Sequence, residues 1–96
     1  MFDLLQLETF RVVATTRNFT RAAAELGCSQ STVTTRIKVL ERELSAHLLE
    51  RSRFSKHVAL TDAGRRTLQY AGRIFGLAHQ IEASATVARA SIAPAK

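Results

Sequence analysis

Ninety-six residues suit one small domain, and a formal net charge of +6 with a sequence pI near 10.8 points to an anionic partner. No apolar run is long enough to span a bilayer and no signal-peptide pattern is present. The cations are not gathered on one amphipathic helix, which argues against a membrane surface.

In chain order, Asp3 can cap a first helix over residues 4–16, with Gln6 at the capping-box position. Leu7, Phe10, Val13 and Ala14 give that helix a buried stripe. Phe19 reads as core. Thr20 is placed to cap a second helix beginning at Arg21, where Ala22, Ala23 and Ala24 are strong helix formers. Gly27 follows Leu26 and suits the left-handed residue that ends a helix. Ser29 then caps a third helix over residues 30–44. Two helices with so short a break leave room only for a sharp bend, the layout of a helix-turn-helix.

The third helix has two faces. Val33, Ile37, Leu40 and Leu44 form one apolar stripe at helical period. Ser31, Thr35, Lys38 and Arg42 lie opposite it, with Thr32, Thr34 and Arg36 on its flanks. Hydroxyls and cations turned away from a core suit base edges and phosphates. An ordinary solvated helix has the same pattern, and its place in the bent pair favours the functional reading.

After Leu44 the periodicity changes. Residues 48–51 read as a short strand and residues 57–60 as another, joined by a segment carrying cations. This is the pattern of a hairpin wing, with Arg51, Arg53 and Lys56 directed at the phosphate backbone or the minor groove. A charged loop without contacts is the alternative. Between Ser29 and Arg66 there are eight basic residues against four acidic ones.

Thr61 caps a long last helix over residues 62–90, roughly 43 Å at 1.5 Å per residue and longer than the ~30 Å width of a small domain. It carries two apolar stripes. Leu68, Ala71, Phe75 and Ala78 form one; Tyr70, Ile74, Leu77 and Ile81 form the other. One can pack on the domain, and the second calls for a partner, expected to be a second copy of the chain. The tail turns Ala/Ser-rich before Pro94, as a helix running into a linker would.

Chemistry of other kinds finds no support. Cys28, the only cysteine, has no partner for a disulfide, which fits a reducing cytoplasm. His47, His57 and His79 are scattered without metal-ligand spacing, so neither a metal nor a cofactor is expected. No nucleophile–base constellation or glycine-rich phosphate loop suggests an enzyme. Two readings besides site-specific duplex binding stay open: a dimerising protein-interaction adaptor and a non-specific nucleoid-type DNA binder. The adaptor would show no salt-sensitive duplex binding, and the nucleoid binder no protected site.

The matching stretches Phe19-Thr20-Arg21-Ala22-Ala23, Ser29-Gln30, Ile37, Leu40-Glu41, Leu44, Leu48, Glu50-Arg51, Leu60-Thr61 and Ala63-Gly64 together carry a family likeness. From about Leu5 to Phe75 the chain resembles the N-terminal DNA-binding domain of LysR-type transcriptional regulators. The resemblance implies a mainly α winged helix-turn-helix, residues 1–61, and a linker and dimerisation helix, residues 62–90. It implies binding, as a homodimer, to an interrupted inverted repeat in promoter DNA. Ser29 and Gln30 would open the recognition helix, residues 31, 34, 35 and 38 would face DNA, and Arg51 and Arg53 would belong to the wing. Residues 91–96 would begin the linker to an effector-binding domain beyond this chain, and any small-molecule effector would act only through that domain.

This sequence departs from the family pattern at three places: Ser31 stands where proline is frequent, Thr35 where arginine is common, and Ser45 where glycine is common. Arg36 supplies a cation one place later, rotated by about 100° on the helix. The departures bear on base preference rather than on fold.

Overall fold

The computed structural model describes residues 1–51 and 57–92; the side chains of residue 51 and residues 88–92 lie outside that description. The elements are α1 (Leu4–Thr16), α2 (Phe19–Leu26), α3 (Gln30–Leu44), β1 (Leu49–Arg51), β2 (Val58–Leu60) and α4 (Asp62–Ile92). Helices α1, α2 and α3 pack on one another around a single core, and the two strands form an antiparallel pair beside it.

Local chemistry explains most of the boundaries. The Asp3 carboxylate accepts the Gln6 N–H at 2.8 Å, and the Gln6 side chain accepts the Asp3 N–H at 3.2 Å, a complete capping box. Gly27 ends α2 in the left-handed region at φ 68°. Ser29 caps α3 by accepting the Thr32 N–H at 3.1 Å. Ser45 ends α3 at φ 53°, a backbone geometry that costs a serine more than a glycine.

One expected cap is different. Asn18, not Thr20, caps α2: its side chain accepts the Arg21 N–H at 3.0 Å, and the helix begins at Phe19 rather than Arg21. The reason lies just upstream. Arg17 ends α1 in the left-handed region at φ 56°, and its carbonyl accepts the Val58 N–H of β2 at 3.2 Å. Tied there, the chain re-enters a helix directly after Asn18, and the Thr20 hydroxyl is left for another partner.

Phe10, Val13, Ala22, Val33, Ile37, Leu40 and Leu48 are fully buried at 0% exposure, and Phe19, Leu26 and Leu44 pack against that cluster. Each large aliphatic or aromatic side chain so enclosed is worth about 1.5–3 kcal/mol. The buried stripe of α3 thus holds its opposite face outward. Thr9, also fully buried, spends its hydroxyl on the Leu5 carbonyl at 2.9 Å.

The strands pair with Leu49 opposite Leu60, Glu50 opposite Ala59 and Arg51 opposite Val58. Their root is clamped to α4. The Thr61 N–H donates to the Leu48 carbonyl at 3.0 Å and its hydroxyl to the His47 carbonyl at 2.6 Å. The same hydroxyl accepts the Gly64 N–H at 3.0 Å, capping α4. Helix α4 then runs for 31 residues. The molecule measures 63 × 25 × 19 Å, so α4 projects well past the core.

Candidate nucleic-acid interface

Helix α3 presents an uncovered polar face along its length. Gln30, Ser31, Thr35, Lys38 and Arg42 lie on it, and all five are exposed. Thr32 and Thr34 are on its flanks. The three hydroxyls at the start of the helix form a cluster: Ser29 Oγ lies 2.8 Å from Thr32 Oγ1 and 3.1 Å from Ser31 Oγ. Ser29 and Ser31 are both at the surface, and Ser29 in addition caps the helix end.

Arg36 has a different placement from its neighbours. It is half-buried, and its guanidinium Nη1 reaches the Thr9 hydroxyl of α1 at 3.5 Å. One place from Thr35, it faces the α1 side of the helix and does not occupy the direction that Thr35 does.

At the C-terminal end of the face, Lys38 and Arg42 border a shallow groove of about 420 Å³ with Glu41, Ser45, Ala46 and His47. The Glu41 carboxylate lines the same groove. It accepts the backbone N–H groups of Leu48 and Leu49 at 2.8 and 3.4 Å and is only 16% exposed. It joins α3 to the root of β1. Glu41 belongs to the family-like stretch, but nothing local in the sequence connects it to a residue seven positions on.

For Arg51 the structure describes only the backbone, which closes the β1–β2 pairing. Arg53 and Lys56 lie outside the described residues. The second feature missed from the sequence is Thr20. Its hydroxyl donates to Gln30 Oε1 across the turn at 3.3 Å, both side chains being exposed.

The two stripes of α4 divide differently from the simple two-face picture. Ala71 is fully buried, Leu68 packs on the core, and Phe75 and Ala78 are half-buried. Arg11, held by Glu8 at 3.0 Å, places its guanidinium 5.6 Å from the centre of the Phe75 ring, which joins α1 to α4. On the other stripe Tyr70, Leu77 and Ile81 are 59%, 58% and 69% exposed. Ile74 is half-buried and, with Phe2, Leu7, Leu44, Thr67, Tyr70 and Ala71, lines an apolar groove of about 250 Å³. Val87 further out is also exposed.

Among the described residues, no three His, Cys, Asp or Glu side chains gather as a metal site would require. No described helix is long and apolar enough to cross a membrane.

The family described as bacterial regulatory helix-turn-helix protein, lysR family, matches residues 4–65. The probable cat1 operon transcriptional activator of Acinetobacter lwoffii is 42% identical over 82 residues, covering 85% of this chain and 26% of that protein. The transcriptional regulator CitR of Bacillus subtilis is 44% identical over 72 residues, 75% of this chain and 24% of that protein. The chain thus spans about a quarter of the length of these curated relatives. Among solved structures, the DNA complex of the CbnR DNA-binding domain superposes with a TM-score of 0.83 at 36% identity, covering 91% of this chain and 98% of that one. The BenM DNA-binding domain on its catB site 1 DNA gives 0.82 at 32% identity, covering 88% and 93%. CbnR itself, a LysR family transcriptional regulator, gives 0.81 at 35% identity, covering 88% of this chain and 29% of that one.

Proposed function

The chain belongs to the LysR family of bacterial helix-turn-helix regulatory proteins, and from that premise we propose that it is the site-specific duplex-DNA-binding module of a transcriptional regulator. The observation that carries this reading is the outer face of α3. An amide, hydroxyls and two cations stand there while Val33, Ile37 and Leu40 anchor the opposite side at 0% exposure.

On this reading α3 enters the major groove. Gln30, Ser31, Thr34 and Thr35 meet base edges near its N-terminal end, where a glutamine can bridge adenine and a threonine methyl can pack on thymine. Lys38 and Arg42 meet phosphates, which set register and affinity without reading sequence. Arg51, Arg53 and Lys56 of the wing would add backbone or minor-groove contacts. Two copies joined through the exposed stripe of α4 would present two recognition helices to successive major grooves, about 34 Å apart, and so read an inverted repeat. The role is recognition rather than catalysis, in the compartment that holds the DNA, the bacterial cytoplasm.

Selection of duplexes from a randomised library by the chain, followed by footprinting at two salt concentrations, tests this. A recovered inverted repeat protected on both half-sites, with binding that weakens steeply as salt rises, is the expected result. Salt-sensitive binding without a protected site would make it a non-specific nucleoid-type binder. No duplex binding at all would leave a protein-interaction adaptor.

A further inference from the structure

We infer that Thr20 is a specificity-positioning residue: its hydroxyl orients the Gln30 amide so that Gln30 distinguishes adenine from guanine. The inference rests on the reading of α3 as the recognition helix.

Thr20 is the second residue of α2 and Gln30 the first of α3, so the turn brings together two side chains ten positions apart. The Thr20 hydroxyl donates to Gln30 Oε1 at 3.3 Å. Thr20 is free for this because Asn18 caps α2 in its place. Both side chains are exposed, so the bond serves no core.

A glutamine amide carries a carbonyl acceptor at one end and an NH₂ donor at the other. Unrestrained, it can rotate by half a turn and exchange the two. The purines make that exchange matter. In the major groove adenine offers one acceptor, N7, and one donor, the N6 amino group, whereas guanine offers two acceptors, N7 and O6. A donor held at Oε1 fixes which end is which. Oε1 retains a second lone pair for the adenine amino group, and Nε2 is left to donate to N7. A free amide can instead turn Nε2 towards guanine O6. The bond also limits the rotamers of a side chain that must otherwise lose them on binding. Removing the hydroxyl should therefore reduce a base preference rather than remove a phosphate contact.

The test uses the chain itself and a duplex it selects from a randomised library. Adenine·thymine is exchanged for guanine·cytosine at each position in turn, and dissociation constants are measured for wild type, Gln30→Ala, Thr20→Val, Thr20→Ser and the double variant Thr20→Val/Gln30→Ala. Gln30→Ala should flatten the purine preference at one base pair in each half-site. Thr20→Val should lower the preference at that same pair by about 3- to 10-fold, the order expected for one hydrogen bond. Thr20→Ser should retain it, and the double variant should be no less selective than Gln30→Ala. Far-ultraviolet circular dichroism confirms that each variant is folded.

An equal loss on every duplex for Thr20→Val would make the hydroxyl a phosphate contact and overturn the inference. So would additive losses in the double variant. If Gln30→Ala flattens the preference and Thr20→Val does not, the orienting role falls and base reading by Gln30 stands. If Gln30→Ala changes no preference, both the orienting role and the assignment of Gln30 to a base fall. The wild-type footprint reports separately whether the module binds a specific site.

Discussion

Gly64 in the first turn of α4 lies directly against the carbonyl of Leu48, so closely that a β-carbon there would overlap the Leu48 oxygen and stand 3.0 Å from its carbonyl carbon. Thr61 binds the same carbonyl through its N–H. The close approach seats the long helix on the root of the wing and thereby fixes the direction in which α4 leaves the domain.

Helix propensity alone would make alanine better than Gly64 by about 1 kcal/mol. The contact reverses the sign. Gly64→Ala should destabilise the chain by about 1–3 kcal/mol, the cost of overpacking a tight contact. Gly72, where a β-carbon would meet nothing within 4 Å, is the control: Gly72→Ala should be neutral or gain up to about 1 kcal/mol. In urea unfolding Gly64→Ala should lower the midpoint, while Gly72→Ala leaves it unchanged or raises it.

Lys38 is exposed on the outer face of α3 beside Arg42. Lys38→Ala should weaken selected and random duplexes alike. It should also reduce the slope of log affinity against log salt by about 0.9, the value for one lost phosphate contact. A slope equal to that of the wild type would take Lys38 out of the interface.

Thr35 is exposed where the family commonly has arginine, and Arg36 turns to Thr9 rather than replacing it. Thr35→Ala should cost about 1–3 kcal/mol of discrimination at one base pair per half-site, read by binding to singly substituted duplexes. Uniform weakening would instead identify a backbone contact.

A charge on the exposed stripe of α4 should separate the proposed dimer without unfolding the domain. Leu77 serves better than Ile74 for this, because Ile74 is half-buried beside Phe2 and Leu44 whereas Leu77 is 58% exposed. Leu77→Glu should give a folded monomer in sedimentation that binds a single half-site nearly as wild type and an inverted repeat much more weakly. A wild-type chain that sediments as a monomer at tens of micromolar, on the order of typical weak-interface affinities, would remove the basis for this prediction.

Glu41 accepts two backbone N–H groups at the base of β1. Glu41→Ala leaves both donors without that partner, at a cost of about 1–3 kcal/mol. Amide hydrogen exchange at Leu48 and Leu49 should accelerate more than exchange in the core of α1. Equal acceleration everywhere would mean a global loss of stability instead of a loosened wing root.

The sequence by itself determined the features that arise within about four residues along the chain. The Asp3–Gln6 capping box, Gly27 at the end of α2, the Ser29 cap of α3 and the Thr61 cap of α4 are local hydrogen bonds or local backbone preferences. The buried stripe of α3 follows from helical period, and the strands follow from the break in that period. These suffice to define a helix-turn-helix with a short hairpin and a long final helix, and to say which face of α3 is polar. Tertiary structure decided the rest, through groups far apart in the chain. Thr20, whose place as the α2 cap Asn18 takes by a local bond, meets Gln30 ten positions on across the turn. Arg36, on a flank of α3, turns to Thr9 of α1, and Ile74 is half-buried where Phe2 and Leu44 border it. Each of these outcomes depends on how the helices cross, a relation that short-range propensity does not contain, since the same residue types satisfy every local rule in either placement.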